Sequence, residues 1–414
     1  MSRQTASRRS LRALDAANLF LADVRDGIGP FLAIYLLASH DWDAGRIGIA
    51  MSAMGIATLI AQGPAGALID RVQQRRLVTA VASGTIGLCC ILMTWFVNLP
   101  AIVFFQALMG VAAALIVPGL TAITQGLVGY RGLARRQGRN EVFNHAGNIV
   151  AALLAGLLGH FVAREWLFYS VALFALASVI SILLIREHEI DPELARGARL
   201  ADETSPVNES GLVMLLRQPA LLAFSVATLV FHFANAAMLP LAGQTLSAGT
   251  ERGASLYMSA CIIVAQLVMI PVAHLAGARA DRWGRRPLLL LAFAVLPIRG
   301  LLYTVHDAGW WIVAVQLLDG IGAGLIGVLT VLIVSDLTRG SGRFNTAIGA
   351  VAVAHGIGAA LSHALAGQVV AALGYDAGFL FLAAVAALAL VFVVCCVRES
   401  MPDRGCPSPA TLPA

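Results

Sequence analysis

The sequence predicts an all-α polytopic membrane protein, with twelve transmembrane helices arranged as two pseudo-symmetric six-helix bundles. Of its 414 residues, 59% are hydrophobic and only 12% are charged, whereas soluble domains carry about 25% charged residues. An arginine-rich motif runs from Gly66 to Arg76 and recurs from Gly277 to Arg286, each time between apolar stretches. A soluble protein of this size needs more polar residues than this to cover its core. A motif repeated half a chain apart indicates two homologous halves.

Twelve segments are long and apolar enough to cross a bilayer, which takes about 20 residues per helix. They cover 13–38, 45–69, 77–97, 101–127, 141–162, 166–185, 219–246, 254–276, 287–305, 309–335, 345–372 and 376–397. The polar stretch after the sixth span divides the chain. We therefore expect a bundle over 1–185, a cytoplasmic linker over 186–217, a second bundle over 218–398 and a cytoplasmic tail over 399–414.

Arginine placement predicts the orientation. With both termini in the cytoplasm, 23 arginines fall inside and three fall outside, while Arg25 and Arg299 lie within spans. This is a strong positive-inside bias, and it places both motif copies on the cytoplasmic side. The first apolar run is too long for a signal peptide and contains charges, so it is predicted to be the first span of a protein of the bacterial inner membrane.

The duplication extends into the spans. Pro30 in span one matches Pro240 in span seven, and Gln106 in span four matches Gln316 in span ten at the same offset. Matched helix breakers in parallel halves predict two bundles around a central path, where water or neighbouring helices satisfy the freed backbone groups.

The chain resembles the major facilitator superfamily (MFS) of secondary transporters, whose loop between spans two and three reads G-x-L-x-D-R-x-G-R-R. The residues that match the two copies are Gly66, Leu68, Asp70, Arg71, Arg75, Arg76, Gly277, Asp281, Arg282, Gly284, Arg285 and Arg286. The resemblance implies a gating motif that latches the cytoplasmic side. In it, Asp70 and Asp281 accept from the positive N-terminus of a neighbouring helix, and the arginines pair across the cleft. The alternative for the arginines is that they only anchor the topology. Proton-coupled drug exporters of this family carry R-x-x-x-G in span four, where this chain has Gln106, and a G-P pair in span five, which is absent here.

Charged residues inside spans mark transport pathways, because each costs several kcal/mol (about 3) unless paired or hydrated. Span one holds Asp23, Arg25 and Asp26 just before Gly27 and Pro30, where the helix is expected to bend. Asp23 and Asp26 share a helix face, and we expect one of them to bind a proton or a cationic substrate group. The alternative is a structural ion pair with Arg25 or a neighbouring span.

Span five begins with a polar stripe of Glu141, Asn144, His145 and Asn148 at helical spacing. Such a stripe must face protein or water. It lies either in the substrate cavity or in a gate network near the cytoplasmic end.

The second half carries fewer charges. His232 and Asn235 lie in span seven, and Asn235 is equivalent to Arg25 in the duplication; Gln316 belongs to span ten. Arg299 and Asp319 lie at similar depths, and a structural ion pair is favoured over a substrate anchor for them. The candidate residues of the proton-coupling and substrate cavity outside spans one and five are Gln106, His232, Asn235, Gln316 and Asp319.

Three further histidines, His274, His355 and His363, are expected to be packed polar residues and not metal ligands. No cluster of histidine, cysteine and acidic residues has the spacing of a metal site, so no metal is expected.

The sequence shows no catalytic motif and no P-loop, so we expect neither an enzyme nor a cofactor, and transport energy must come from a gradient. The predicted function is secondary active transport by alternating access, in the form of proton-coupled efflux of a small, partly apolar compound. Uptake or facilitated transport of a polar or anionic metabolite anchored by Arg25 is the alternative, and a transport-dead receptor on the same fold is a third. The expected partners are the substrate, a proton and the bilayer; we expect a monomer and no nucleic acid.

Overall fold

The computed structural model describes residues 6–26, 28–195, 217–249, 253–338 and 344–400. The helices of the first half are α1 (Arg8–Asp26), α2 (Pro30–His40), α3 (Ala44–Arg71), α4 (Arg75–Trp95), α5 (Leu99–Phe161), α6 (Trp166–Leu184) and the short α7 (Pro192–Ala195). Those of the second half are α8 (Pro219–Ala236), α9 (Met238–Gly249), α10 (Ala254–Trp283), α11 (Arg285–Leu302), α12 (Gly309–Leu337), α13 (Phe344–Leu373) and α14 (Tyr375–Cys396).

Within the described residues, ten helical stretches are long and apolar enough to span a membrane, and each coincides with a predicted span. The two remaining predicted spans are also helical. Span one is divided between α1 and α2, and span nine is α11. Large apolar side chains such as Ile60, Phe104, Leu173 and Leu388 are more than 60% exposed on the outer surface. They form the surface that lipid covers in a multi-pass membrane protein.

Span one is broken where the sequence predicts a bend. The helix α1 ends at Asp26, and Gly29 has φ 49°, a left-handed conformation that glycine adopts without strain. Pro30 then opens α2, where its missing N–H costs nothing. The equivalent span of the second half is also broken, at Ala237, whose N–H donates to the Ser362 hydroxyl at 3.0 Å. The matched breakers thus give two matched discontinuous spans.

The connection between spans four and five is largely helical. The backbone of α5 stays helical from Leu99 to Phe161 apart from Gly129, whose φ of 63° marks a kink. The connecting residues include alanine, arginine and glutamine, which are good helix formers.

The start of the predicted linker packs on the first half. A 3₁₀ turn at Glu187–Glu189 precedes α7, and the Asp191 N–H donates to the Gly126 carbonyl at 3.1 Å. Residues 196–216 of the linker and 401–414 of the tail lie outside the described residues.

The two halves meet at one end of the molecule. Gly48 on α3 lies so close to α13 that a Cβ atom would be 2.3 Å from the His363 carbonyl oxygen, and a Cβ on Gly156 of α5 would be 2.3 Å from Ser259 Oγ on α10. At the opposite end, a Cβ on Gly66 or Gly277 of the motifs would meet no atom of the described residues within 4 Å. Among the described residues, the halves are therefore in close contact at the end away from the motifs, and the space between them opens toward the motif end.

Candidate functional site

A central cavity of about 470 Å³ lies between the two halves. Its wall is formed by the α1–α2 break, α3 and α5 of the first half and by α13 of the second. The lining residues are Arg25, Gly29, Leu32, Met51, Met54, Gly55, Thr58, Leu59, Gln62, Gln106, Ala113, Val117, Ala352, His355, Gly356, Ala359, Ala360 and His363.

Two predicted residues, Arg25 and Gln106, lie on this wall. Arg25 is the charged residue among the described lining residues, and most of the rest of the wall is apolar. Gln106 is 4% exposed, and its Oε1 atom has no hydrogen-bond partner within the described part of the chain. A buried acceptor without a donor costs about 1–3 kcal/mol, so Gln106 is suited to accept a hydrogen bond from a ligand.

A side cavity of about 70 Å³ lies next to the central cavity, and Arg25 lines both. Its wall also carries Asn18, Glu141 and Asn144, and the Asn144 amide donates to Glu141 Oε2 at 3.2 Å. The beginning of the predicted polar stripe of span five therefore faces a polar space beside Arg25.

The next residue of the stripe connects the halves. His145 Nδ1 lies 3.0 Å from Oε1 of Gln266 on α10, in the second half. Asn148 is half-buried and lines neither cavity. The sequence interpretation missed Gln266, although a glutamine in an otherwise apolar span is a signal of the same kind as Gln106.

The histidines of the second half lie at or next to the cavity. His355 and His363, which are expected to be packed polar residues, both line the central cavity. His232 on α8 does not line it but stacks on His355, with ring centroids 3.3 Å apart and planes 5° from parallel.

The predicted Arg299–Asp319 pair is confirmed, with Nη1 and Oδ1 2.7 Å apart. Arg299 is also bound by Asn235 at 2.5 Å, by Gln316 Oε1 at 3.2 Å and by the Tyr303 hydroxyl at 3.2 Å. This network spans α8, α11 and α12, and Tyr303 is the member that sequence reasoning missed. None of these side chains lines the central cavity.

The two acids of span one are placed differently. Asp23 is half-buried on α1 and lines neither cavity. The side chain of Asp26 lies outside the described residues. The proton-binding assignment to this pair therefore stays a prediction.

The first motif copy binds helix ends within its own half. Arg75 is 2% exposed, and its Nε donates to the Ile69 carbonyl at 3.1 Å near the end of α3. Arg76 donates to the carbonyl oxygens of Leu183, at 3.1 Å, and Ile185 at the end of α6, and pairs with Glu187 at 2.7 Å. A cation at a helix C-terminus is stabilised by the partial negative charge of the exposed carbonyl groups.

The second copy repeats this arrangement. Arg286 donates to the Val394 carbonyl at 2.8 Å, near the end of α14, and its N–H donates to Glu399 at 3.0 Å. Arg285 pairs with Asp336 on α12 at 3.0 Å. The expected arginine pairing across the cleft is not among these contacts of the described residues.

The remaining motif residues take no described part in these contacts. Arg71 and Arg282 are exposed, and the side chains of Asp70 and Asp281 lie outside the described residues. The latch role of the two aspartates therefore stays a prediction.

Two helical halves around a shared cavity, with discontinuous helices at its wall and a lipid-facing apolar surface, define a membrane transporter. The sequence profile of the Major Facilitator Superfamily matches residues 15–296 and 258–413, and the chain belongs to that family. Its function is transmembrane transport, not enzymatic catalysis.

Similar proteins agree with this assignment. An uncharacterized MFS-type transporter of Mycobacterium tuberculosis is 46% identical over 393 residues, which is 95% of this chain and 94% of that protein. Multidrug resistance protein 1 of Bacillus subtilis is 24% identical over 181 residues, or 42% of this chain and 45% of that protein.

Two solved structures share the fold. The nucleoside transporter NupG, as its D323A mutant, superposes with a TM-score of 0.80 at 15% identity, covering 94% of this chain and all of NupG. A bacterial homolog of the human lysosomal transporter Spinster gives a TM-score of 0.70 at 12% identity, covering 94% of this chain and 95% of that one.

Proposed function

We propose that this protein is a secondary active transporter that works by alternating access and exports a small, partly apolar compound in exchange for protons. The observation that carries the proposal is the central cavity. It lies between the halves, its volume of about 470 Å³ fits a drug-sized molecule, and its wall is mainly apolar with a few polar groups. Similarity to Multidrug resistance protein 1 over 42% of this chain supports a drug-like substrate.

Alternating access is supported by the asymmetry of the contacts between the halves. Tight packing at Gly48 and Gly156 closes one end, whereas Gly66 and Gly277 at the other end have no close neighbour among the described residues. Rocking of the two halves about the cavity exchanges the open and closed ends.

The charge of the wall narrows the substrate class. Arg25 and the unpartnered Gln106 acceptor favour a neutral or anionic compound that carries a hydrogen-bond donor. Arg25 also favours the second candidate function, uptake or facilitated transport of a polar or anionic metabolite. The fold shared with the nucleoside transporter NupG is compatible with either direction.

The test is transport in proteoliposomes with a panel of anionic, neutral and cationic compounds. Arg25→Gln is expected to weaken transport of the anionic members about tenfold or more, because a charge-assisted hydrogen bond contributes about 1.5–3 kcal/mol. Arg46→Gln is the matched control, since Arg46 is an exposed arginine of the same half that does not line the cavity. Equal losses in both variants, or a preference for cations in the parent protein, contradict the proposed substrate class.

Proton coupling is assigned to Asp23 or Asp26, the acids of the broken span one. An imposed pH gradient is expected to drive transport by the parent protein. In the Asp23→Asn, Asp26→Asn double variant, gradient-driven transport is expected to be lost, while substrate exchange without a gradient continues. A double variant that still responds to the gradient excludes both acids, and a parent protein that ignores it excludes proton coupling.

The functional unit is proposed to be a monomer in the bacterial inner membrane, with both termini in the cytoplasm. The support for this orientation is the 23-to-3 distribution of arginines between the two sides. Reporter tags at residue 200 and after residue 400 are expected to be cytoplasmic, and a cysteine at position 164 is expected to react with an impermeant reagent from outside. A tag at residue 200 that is accessible from outside contradicts the orientation.

A further inference from the structure

A third cavity, of about 380 Å³, lies at the arginine-rich end of α1. Four arginines, Arg8, Arg12, Arg136 and Arg139, and one acid, Asp15, lie on its wall. It shares no lining residue with the central cavity. We call it the basic pocket.

The side chains on the inner side of the basic pocket are held by ion pairs and hydrogen bonds. Arg136 is 7% exposed, pairs with Asp15 at 2.7 Å, and donates to Asn140 Oδ1 at 2.9 Å and to the Leu11 carbonyl at 3.2 Å. Arg139 pairs with the other oxygen of Asp15 at 2.8 Å. One buried carboxylate therefore serves two guanidinium groups.

The outer side consists of Arg8 and Arg12, which are exposed and lie four residues apart on one face of α1. The structure shows no hydrogen bond or ion pair of either side chain to another described residue. Their helix is held in place, because Glu189 accepts from both the Ser7 N–H and the Ser7 hydroxyl at 2.9 Å. Among the described residues of the wall, four arginines and one aspartate leave an excess of three positive charges.

The position of the basic pocket indicates where its ligand comes from. The fourth span ends at Gly129 and the fifth begins at Arg139, so the pocket lies at the level where the helices leave the bilayer. Val142, one turn beyond Arg139, is 66% exposed and offers an apolar surface beside the charges. Guanidinium groups bind phosphate oxygens in pairs, and basic pockets between helices at this level bind lipid headgroups.

We propose that the basic pocket binds the phosphate group of an anionic phospholipid, with an acyl chain along the surface near Val142. Arg8 and Arg12 contact the phosphate from the solvent side, and the Asp15–Arg136–Arg139 cluster forms the floor. This site is independent of the proposed substrate and coupling ion.

The test is lipid binding to the purified full chain in neutral detergent, measured by native mass spectrometry and by the thermal unfolding temperature. The probes are phosphatidylglycerol, phosphatidylcholine and inorganic phosphate. We expect phosphatidylglycerol to bind and to raise the unfolding temperature, and the other two probes to have little effect. Each arginine near a membrane surface contributes to the free energy of binding an anionic lipid. Loss of two such contributions, in the Arg8→Gln, Arg12→Gln double variant, should weaken phosphatidylglycerol binding about thirtyfold.

The matched control is Arg9→Gln with Arg398→Gln, which removes the same charge from two exposed arginines that do not line the basic pocket. The control variant is expected to bind phosphatidylglycerol like the parent protein. Equal weakening in both variants overturns the proposal in favour of general surface electrostatics. An equal effect of inorganic phosphate overturns the lipid assignment in favour of a free anion, and absence of any phosphatidylglycerol effect on the parent protein overturns the site.

Discussion

The Arg299–Asp319 pair allows the sharpest prediction, because its energy follows from its burial. The Arg299 side chain is 1% exposed and the Asp319 side chain 17%, so water compensates little if one partner is lost. Removing one partner of a buried pair costs about 3–5 kcal/mol. Since Asn235, Gln316 and Tyr303 still bind Arg299 in Asp319→Ala, we expect the lower end of this range, about 3 kcal/mol.

The assay is reversible unfolding of the purified protein in detergent, followed by tryptophan fluorescence. In the Arg299→Met, Asp319→Leu double variant most of the stability should return, because a well-packed apolar pair replaces a buried ion pair at little cost. Asp307→Ala removes an acid from an exposed loop of the same half and serves as the control.

Two outcomes of this experiment refute the reasoning. If Asp319→Ala is as stable as the parent protein, Arg299 is not a buried charge that depends on its partner. If the variant stays stable but loses transport of one substrate class, the network binds substrate instead of holding α8, α11 and α12 together.

Three further predictions concern the contacts between and within the halves. Gly48→Val places side-chain atoms against the His363 carbonyl, so we expect it to prevent closure of the end away from the motifs and to lower transport at least tenfold. Labelling of a cysteine placed at that end should show that it stays open. Gln266→Leu removes the partner of His145 and is expected to cost about 1 kcal/mol of stability of the closed contact, measurable as a shift in the same cysteine labelling. Arg76→Gln breaks the contacts with the end of α6 and is expected to lower the unfolding temperature without changing substrate preference, which a transport assay with competing substrates checks.

Much of this protein follows from the sequence alone. Hydropathy and span length predict the helices, because the bilayer imposes a fixed apolar length on every span. The motif repeat and the matched prolines predict two halves with broken spans, and the breaks occur at Gly29–Pro30 and at Ala237. Because Arg299 and Asp319 lie at similar depths in their spans, the sequence also predicts that they pair, as the structure shows. Each of these inferences depends on local chemistry or on position along one helix.

The tertiary structure decides how those helices face one another. In the duplication, Asn235 of the second half stands at the position of Arg25 in the first. Asn235 nevertheless binds an arginine, because Arg299 reaches it from a different helix of the second half. Likewise, Gln316 is satisfied by Arg299, whereas its counterpart Gln106 faces the central cavity with an unpartnered oxygen. Helix periodicity gives the face on which a residue lies but not the rotation and tilt of the helix, which are set by packing across both halves. For that reason the residues of the cavity wall, and the end at which it opens, are properties of the assembled fold.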